Sequence, residues 1–363
     1  MVRVLHFVST PSIGSGVMSV IMNYYRHMDR SKIQFDFLCF IPCEDSYEDE
    51  IKELGGQVFF VSKPGSSWES LKELWKFFSD HGVKYQFLHN HEVYLSFLLK
   101  PLARFGGIQR FIVHCHATRF SDRKIAAFRN AVLCIPIRFM KCDRFACSKA
   151  AGDFLYGNRA RLSGRVFVYP NAIEVDKYRF DSKKRDSIRG MLNVSPDTFL
   201  IGHVGRFVPQ KNHRFLVALL ENICETNADA HLLCIGEGPL KEEIEEISNR
   251  MDLDCKISFL GHRDDVKDLL NAFDVFVLPS LYEGFPVSLV EACYNGLPCV
   301  IADTISDEIE YKKVYRIPLE APIGTWVNQI NKLDGIEHDE NVYIPEFDIY
   351  NQAAKLQEYY LKM

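Results

Sequence analysis

Two glutamates eight residues apart, Glu283 and Glu291, are set in Leu278-Pro-Ser-Leu-Tyr-Glu-Gly-Phe-Pro-Val-Ser-Leu-Val-Glu-Ala292. A carboxylate accepts two hydrogen bonds side by side, which suits vicinal hydroxyls such as those of a ribose or a hexose. The apolar run before Pro279 predicts a buried strand and places Glu283 in the loop after it. Pro286 marks the first turn of a helix, and Glu291 falls about one and a half turns into it. The two carboxylates then face one crevice at different depths, with the backbone donors of Gly284 and Phe285 beside them. A glutamate on an apolar helix face needs a partner, which argues against a purely structural role for the pair.

A second pair is cationic. The strand-like run Phe199-Leu-Ile-Gly-His-Val204 leads into Gly205-Arg206 and then Pro209-Gln-Lys211-Asn212. Arg206 and Lys211, five apart around a strand-to-helix turn, can converge on one anion while the helix start adds its dipole; a diphosphate is the natural partner. The alternative is two unrelated surface cations. Glycine turns follow other strand-like runs, at Gly236-Glu-Gly238 and at Gly261. Near the N-terminus, Gly14-Ser15-Gly16 precedes a helical pattern and could bring backbone N–H groups to a phosphate. It is not a dinucleotide fingerprint, because Ser19 stands where the third glycine would be, and a simple tight turn is the competing reading.

Two His-x-His pairs, His89-Asn-His91 and His114-Cys-His116, each end a strand-like run. Residues two apart share a strand face, so each pair points one way. Metal ligation, hydrogen bonding or charge stabilisation near a substrate, and plain packing all remain open. Metal ligation has the least support, because no third ligand of convincing spacing accompanies them. His116 is the leading candidate for a functional role. From Arg119 to Arg144, seven Lys and Arg residues stand against Asp122 and Asp143, interleaved with Ile125, Phe128, Val132, Ile135 and Phe139. Such a basic amphipathic segment reads as an element attracted to an anionic membrane or, equally, as a solvated helix face covering a sheet. No nucleic-acid motif accompanies it, so nucleic acid is not an expected partner.

These residues need elements that hold them. Short apolar runs alternate with amphipathic stretches, predicting strands near 2–9, 34–40, 57–61, 85–89, 110–115, 142–147 and 165–168 in a first half. A second half has strands near 199–205, 230–235, 256–259, 274–278 and 298–301. Alternation of this kind gives right-handed βαβ units and parallel sheets whose carboxyl ends carry ligands. The polar stretch 169–196 reads as the linker, and a last helix is predicted over 349–361. The 363 residues, 47% hydrophobic and 25% charged, suit two globular domains and exclude a disordered or collagen-like chain. No apolar run approaches the ~20 residues of a membrane span, and no signal peptide is legible, so a cytoplasmic location is expected. The net charge of −5 is unevenly spread: residues 1–175 carry +7 and the remainder −12. Eleven cysteines without a Cys-x-x-Cys pair read as reduced core thiols.

Together these residues resemble the retaining GT-B glycosyltransferases of family four, the glycosyl transferases group 1 that build bacterial exopolysaccharide, capsule and lipopolysaccharide. The resemblance rests on Gly205-Arg206 with Lys211, Gly236-x-Gly238, Phe259-Leu-Gly261 and the Glu-x7-Glu pair. Phe111-Ile-Val-His-Cys-His116, Pro170-Asn171 and Asp303-Thr-Ile-Ser-Asp-Glu308 add to it. It implies two Rossmann-like doubly wound domains with an inter-domain cleft: an acceptor-side domain over 1–175, a donor domain over 176–345, and a C-terminal helix over 346–363 crossing back to the first. It further implies that Arg206 and Lys211 neutralise a donor diphosphate, that Glu291 holds the ribose, and that Glu283, Gly284, Phe285 and Pro286 hold the donor sugar. Gly205, Gly238 and Gly261 would lie along the nucleotide, and Gly14, Ser15 and Gly16 would close on the diphosphate. His116 would sit at the reacting sugar, with His91 and His114 toward the acceptor. The donor would be a UDP- or GDP-hexose and the acceptor a saccharide, lipid-linked by expectation, at the inner face of the plasma membrane, with no bound metal or other cofactor. Two departures are Val17-Met18 where the family often has a glutamate, and Ala172 where a glycine usually follows the asparagine. A sugar-nucleotide epimerase of the same fold and a catalytically silent assembly partner are the alternatives.

Overall fold

β-branched and aromatic runs too short for helices become strands, and the stretches between them, apolar on one face, become helices. The computed structural model describes residues 1–121 and 123–362 and divides into two compact units, 1–172 with the C-terminal segment from 346, and 173–345. The first unit runs β1 (Val2–Phe7), α1 (Gly16–Arg26), β2 (Ile33–Cys39), α2 (Glu48–Glu53), β3 (Val58–Phe60), α3 (Trp68–His81), β4 (Phe87–Asn90) and α4 (Ser96–Phe105). It continues with β5 (Arg110–Cys115), α5 (Lys124–Cys134), β6 (Asp143–Ala146), α6 (Lys149–Tyr156), α7 (Asn158–Leu162) and β7 (Val166–Val168). The second runs α8 (Ser182–Met191), β8 (Phe199–Val204), α9 (His213–Cys224), β9 (Ala230–Ile235), α10 (Lys241–Arg250), β10 (Ile257–Phe259) and α11 (Val266–Leu269). It ends with β11 (Val275–Leu278), α12 (Val287–Tyr294), β12 (Cys299–Ala302), β13 (Val314–Ile317) and α13 (Ile323–Asn331). The last helix, α14 (Ile349–Lys362), groups with the first unit.

Each unit holds one parallel sheet, ordered β3-β2-β1-β4-β5-β6-β7 and β10-β9-β8-β11-β12-β13. The strand order reverses between β1 and β4 in the first and between β8 and β11 in the second. Such a switch point leaves a crevice outside the carboxyl ends of the two central strands. The loops that follow β1, β4, β8 and β11 are those that carry Gly14–Gly16, His91, Arg206 with Lys211, and Glu283.

Two parts of the second unit depart from the sequence reading. Val314–Ile317 adds a sixth strand, β13, at the sheet edge; its short run includes Arg316 and lacks the apolar signature of a central strand. The stretch read as linker contains α8, which is polar over most of its surface. Asp181 caps it by accepting from the amides of Lys183 and Lys184 at 2.9 and 3.3 Å. Arg185 and Arg189 then anchor it on Asp274 and on the carbonyls of residues 271–273. In the first unit, the five-residue helix α7 lies in a stretch to which the sequence assigned no element.

In the first unit α14 buries Ile349, Gln352, Ala353, Leu356, Tyr359 and Tyr360, one stripe at helical spacing. Tyr360 packs its ring edge on Phe35 and Phe87 and places its hydroxyl 2.6 Å from Nδ1 of His89. Emptying that position removes a whole ring from a closed core. Tyr360→Ala should cost about 3–5 kcal/mol in denaturant unfolding, as aromatic-to-alanine changes in cores do. Tyr360→Phe, which keeps the ring and loses one hydrogen bond, should cost about 1 kcal/mol.

Candidate active site

The second unit is assembled where strands end. After β8, the amide of Gly205 donates to Ile235 O at 2.9 Å, and after β9 the amide of Gly236 donates to Gly261 O at 2.8 Å, so three adjacent loops are laced together. Gly236 has φ +141°, and a Cβ there would lie 2.2 Å from Gly205 O, so only glycine fits. Gly238 lies against the backbone of Phe207, and the stem of Lys211 passes over Gly205, where a Cβ would stand 3.0 Å from Lys211 Cδ.

Lys211 reaches from the β8 loop to the β11 loop. Its Nζ lies 2.7 Å from Glu283 Oε1, with only 15% and 7% of the two side chains exposed. Gln210 holds the other carboxylate oxygen, donating from Nε2 to Glu283 Oε2 at 3.1 Å and to Tyr282 O at 2.9 Å. The amide of Leu281 donates to Gln210 O at 2.8 Å, and Asn212 donates to Pro279 O at 3.2 Å. Arg206 is exposed, and its guanidinium has no partner among the described residues. The structure thus separates the two expected cations. One is fixed on a buried carboxylate, while the other is uncompensated. Gly284, Phe285 and Pro286 are buried at the entry to α12, whose first amides have no carbonyl partner within the helix.

Glu291 lies half-buried on α12, and the Tyr178 hydroxyl donates to its Oε1 at 2.8 Å. Burial raises the carboxyl's pKa above the usual range, and the tyrosine bond pulls in the opposite direction. Tyr178, 113 residues away in the stretch read as linker, is the partner that a glutamate on this face requires. Gln210 was equally unmarked by sequence, because its amide acquires a role only once the β8 and β11 loops meet.

The first unit collects the histidines. His6, in β1, pairs in register with His89, and parallel pairing of β4 with β5 brings both His-x-His pairs to the same face. His6 Nδ1 lies 3.0 Å from His91 Nε2, His91 Nδ1 lies 2.7 Å from His116 Nε2, and His89 Nε2 lies 3.0 Å from His114 Nδ1. The expectation that the pairs lack a third ligand is corrected here: His6, His89 and His91 bring one nitrogen each within 4.8 Å of one another, and so do His91, His114 and His116. His6 is a lone histidine in a core strand, which is why its sequence gave no sign of this. Burial lowers the pKa of every ring, that of His116 to about 4, so at neutral pH they act by hydrogen bonding and not as cations.

The Gly14-Ser15-Gly16 loop opens α1. Ser15 caps the helix, accepting from the Met18 amide at 3.4 Å. Neither glycine has a positive φ, and a Cβ at Gly16 would meet nothing within 4 Å, so the turn itself does not require glycine. In the basic segment, α5 and the turn after it bury Asn130, Cys134 and Ile137. Ile125, Phe128, Val132, Ile135 and Phe139, spaced three and four apart, face outward with 47–87% of their surface exposed. The outer face therefore carries an apolar stripe flanked by exposed Arg123, Lys124, Arg129, Arg138 and Lys141. Asp122 lies outside the described residues.

The region 198–333 matches the family model described as glycosyl transferases group 1, and it contains Arg206, Lys211, Glu283 and Glu291. Along almost the whole chain, EpsF of Bacillus subtilis (strain 168), named as a glycosyltransferase, is 33% identical over 355 residues, 95% of this chain and 91% of that protein. The chain belongs to the group 1 glycosyl transferases. A 24% identical relative spanning 100% of this chain and 97% of its own is the Escherichia coli UDP-Gal:alpha-D-GlcNAc-diphosphoundecaprenol alpha-1,3-galactosyltransferase. The structure of Anabaena HepE in complex with UDP-glucose superposes with a TM-score of 0.82 at 17% identity over the full length of both chains. The architecture is accordingly the GT-B fold, with its two parallel-sheet α/β domains. For this glycosyltransferase the two cations make a direct contrast. Arg206→Ala should leave unfolding stability within about 0.5 kcal/mol of the parent, as exposed substitutions do. Lys211→Ala removes the counter-charge of a buried carboxylate and should cost about 3–5 kcal/mol; equal losses in denaturant titrations would contradict the geometry.

Proposed function

We propose that this glycosyltransferase moves a hexose from a nucleotide sugar to a lipid-linked saccharide during surface-polysaccharide synthesis, retaining the anomeric configuration. The observation that carries this reading is the uncompensated Arg206 beside Lys211 at the carboxyl end of β8, two cations where a diphosphate would sit. The uridine nucleotides named for the E. coli relative and for HepE support a UDP-sugar as donor, and the diphosphoundecaprenol of the former supports the acceptor class.

In this reading Arg206 and Lys211 neutralise the diphosphate, Glu291 holds the ribose hydroxyls and Glu283 receives hydroxyls of the donor sugar. Gly205, Gly238 and Gly261 line the nucleotide. From the Gly14-Ser15-Gly16 turn it is the Gly16 amide that serves a phosphate oxygen, since the amides of Gly14 and Ser15 donate to Ser12; His116 hydrogen-bonds the reacting sugar as a neutral ring, with His91 and His114 behind it on the acceptor side. The bond from the anomeric carbon to the leaving phosphate oxygen breaks, and the acceptor oxygen bonds to the same face. The acceptor proton passes to an oxygen of the leaving diphosphate. No protein nucleophile takes part, and the charge developing on the leaving group is stabilised by Arg206 and Lys211 in place of a metal.

The exposed apolar stripe of α5 with its flanking cations fits an anionic bilayer, at which a lipid-linked acceptor is presented. No helix among the described residues is long and apolar enough to cross a membrane, so contact would be peripheral. In flotation assays, vesicles containing anionic lipid should carry the protein upward, and Phe128→Glu with Phe139→Glu should abolish this. Binding that persists in the double variant would remove α5 from the interface.

Product analysis tests the reaction itself. With an undecaprenyl-diphosphate saccharide and a UDP-hexose, NMR of the product should show the anomeric configuration of the donor. Glu291→Ala should lower kcat/KM roughly ten- to a hundredfold, the equivalent of ~1.5–3 kcal/mol for a charged hydrogen bond. Undiminished activity in that variant, or interconversion of the sugar nucleotide without acceptor, would refute the assignment. The raised pKa of Glu291 gives a pH signature as well. Ribose recognition needs the ionised carboxylate, so donor affinity should fall on acidification at a pH above the ordinary ~4.3 of a glutamate. Tyr178→Phe, which removes the bond favouring ionisation, should move that midpoint further up.

A further inference from the structure

Beyond the place given to His116 beside the reacting sugar, the histidine cluster of the first unit has an internal order of ring-to-ring contacts that the transfer reaction does not explain. We propose that His91, His114 and His116 form a binding site for a divalent transition-metal ion of the zinc class. One nitrogen from each of these rings lies within 4.8 Å of the others. A tetrahedral centre with metal–nitrogen distances of ~2.0–2.1 Å needs nitrogens spaced ~3.3 Å apart, so closure asks only for small ring rotations. The donor set is wholly imidazole nitrogen, which suits zinc, cobalt or nickel and disfavours calcium and magnesium.

The hydrogen bonds assign the nitrogen each ring has left to give. His114 Nδ1 is taken by His89 Nε2, and His114 Nε2 is buried with no partner. Such a buried orphan carries an unrelieved desolvation penalty, which a metal bond would offset. His91 Nε2 is taken by His6 Nδ1, so its Nδ1 is the one available; it now shares a proton with His116 Nε2 at 2.7 Å. The metal replaces that one hydrogen bond with two metal–nitrogen bonds. Every ring remains neutral with one proton: on Nδ1 of His114 and His116, on Nε2 of His91 and His6, and on Nδ1 of His89, which donates to the Tyr360 hydroxyl. His6 and His89 then do for His91 and His114 what outer hydrogen-bond partners do for metal-bound histidines generally, fixing tautomer and ring orientation.

Space and access agree. The five rings, together with apolar side chains such as Val20, Ile21 and Leu356, line a void of about 20 Å³, room for a single small occupant. His116, the least buried of the three, also lines a larger pocket of about 130 Å³ together with His91, through which an ion can enter.

The test uses the full-length protein stripped with a chelator and titrated with cobalt(II), then zinc. The expected result is one equivalent bound per chain, with visible d–d absorption, no thiolate charge-transfer band, and displacement by zinc. His91→Gln and His114→Gln should each weaken binding at least tenfold, and His89→Gln roughly ten- to a hundredfold through His114. His231→Gln, far from the cluster in sequence and in the other unit, should leave it unchanged. No uptake by the wild-type chain, a thiolate band implicating one of the eleven cysteines, or folded variants that bind as tightly as the parent would each overturn the proposal. Circular dichroism establishes folding, and should a variant not fold, the wild-type stoichiometry and spectrum alone decide.

Discussion

The ion pair between Lys211 and Glu283 joins the loops of two neighbouring strands at the point where the order of the second sheet reverses. β8 and β11 are paired in the sheet but separated by about a fifth of the chain, and parallel pairing alone leaves their trailing loops free to diverge. A buried lysine–carboxylate contact, with Gln210 occupying the second oxygen, sets where both loops go. Its desolvation is costly and offsets much of the attraction between the two charges, so its clearest effect is on where the loops go. Several of the residues proposed for the donor site, Arg206 and Lys211 after β8 and Glu283 after β11, lie on the two segments that this contact joins.

Glu291 illustrates a second constraint, since a carboxylate within an otherwise apolar helix survives only with a partner that keeps it ionisable. Tyr178 does this from the segment leading into α8. A ribose offers vicinal hydroxyls in place of the tyrosine's single one, so the resting hydrogen bond can be shared or exchanged without leaving the carboxylate bare.

Much of this was readable beforehand, for identifiable reasons. Parallel βαβ units write themselves into sequence as apolar runs and amphipathic stretches, and strand ends fall where glycines and polar residues begin, so Arg206, Lys211, Glu283 and Glu291 declared themselves by type and spacing. What stayed hidden depends on register. Tyr178 and Gln210 are ordinary residues until two loops converge, and His6 joins His91 only because β1 and β4 are neighbours. Polar α8 escaped notice because its stability comes from arginines bonded to distant backbone carbonyls, and edge strand β13 because it buries little. The exposed stripe of α5 shows the converse case: the spacing was plain, but which face turned outward was decided by Asn130, Cys134 and Ile137 packing inward.

The division of charge also acquires a physical sense. A chain with −12 over residues 176–363 would repel a nucleoside diphosphate unless a local positive centre opposed it, and Arg206 with Lys211 is the centre proposed. Calorimetric titration of UDP and GDP into the wild-type chain and into Arg206→Ala measures this most directly. One saturable site per chain, weakened at least tenfold by the substitution, is the predicted result; no binding of either nucleotide, or equal affinity in the two proteins, would contradict it.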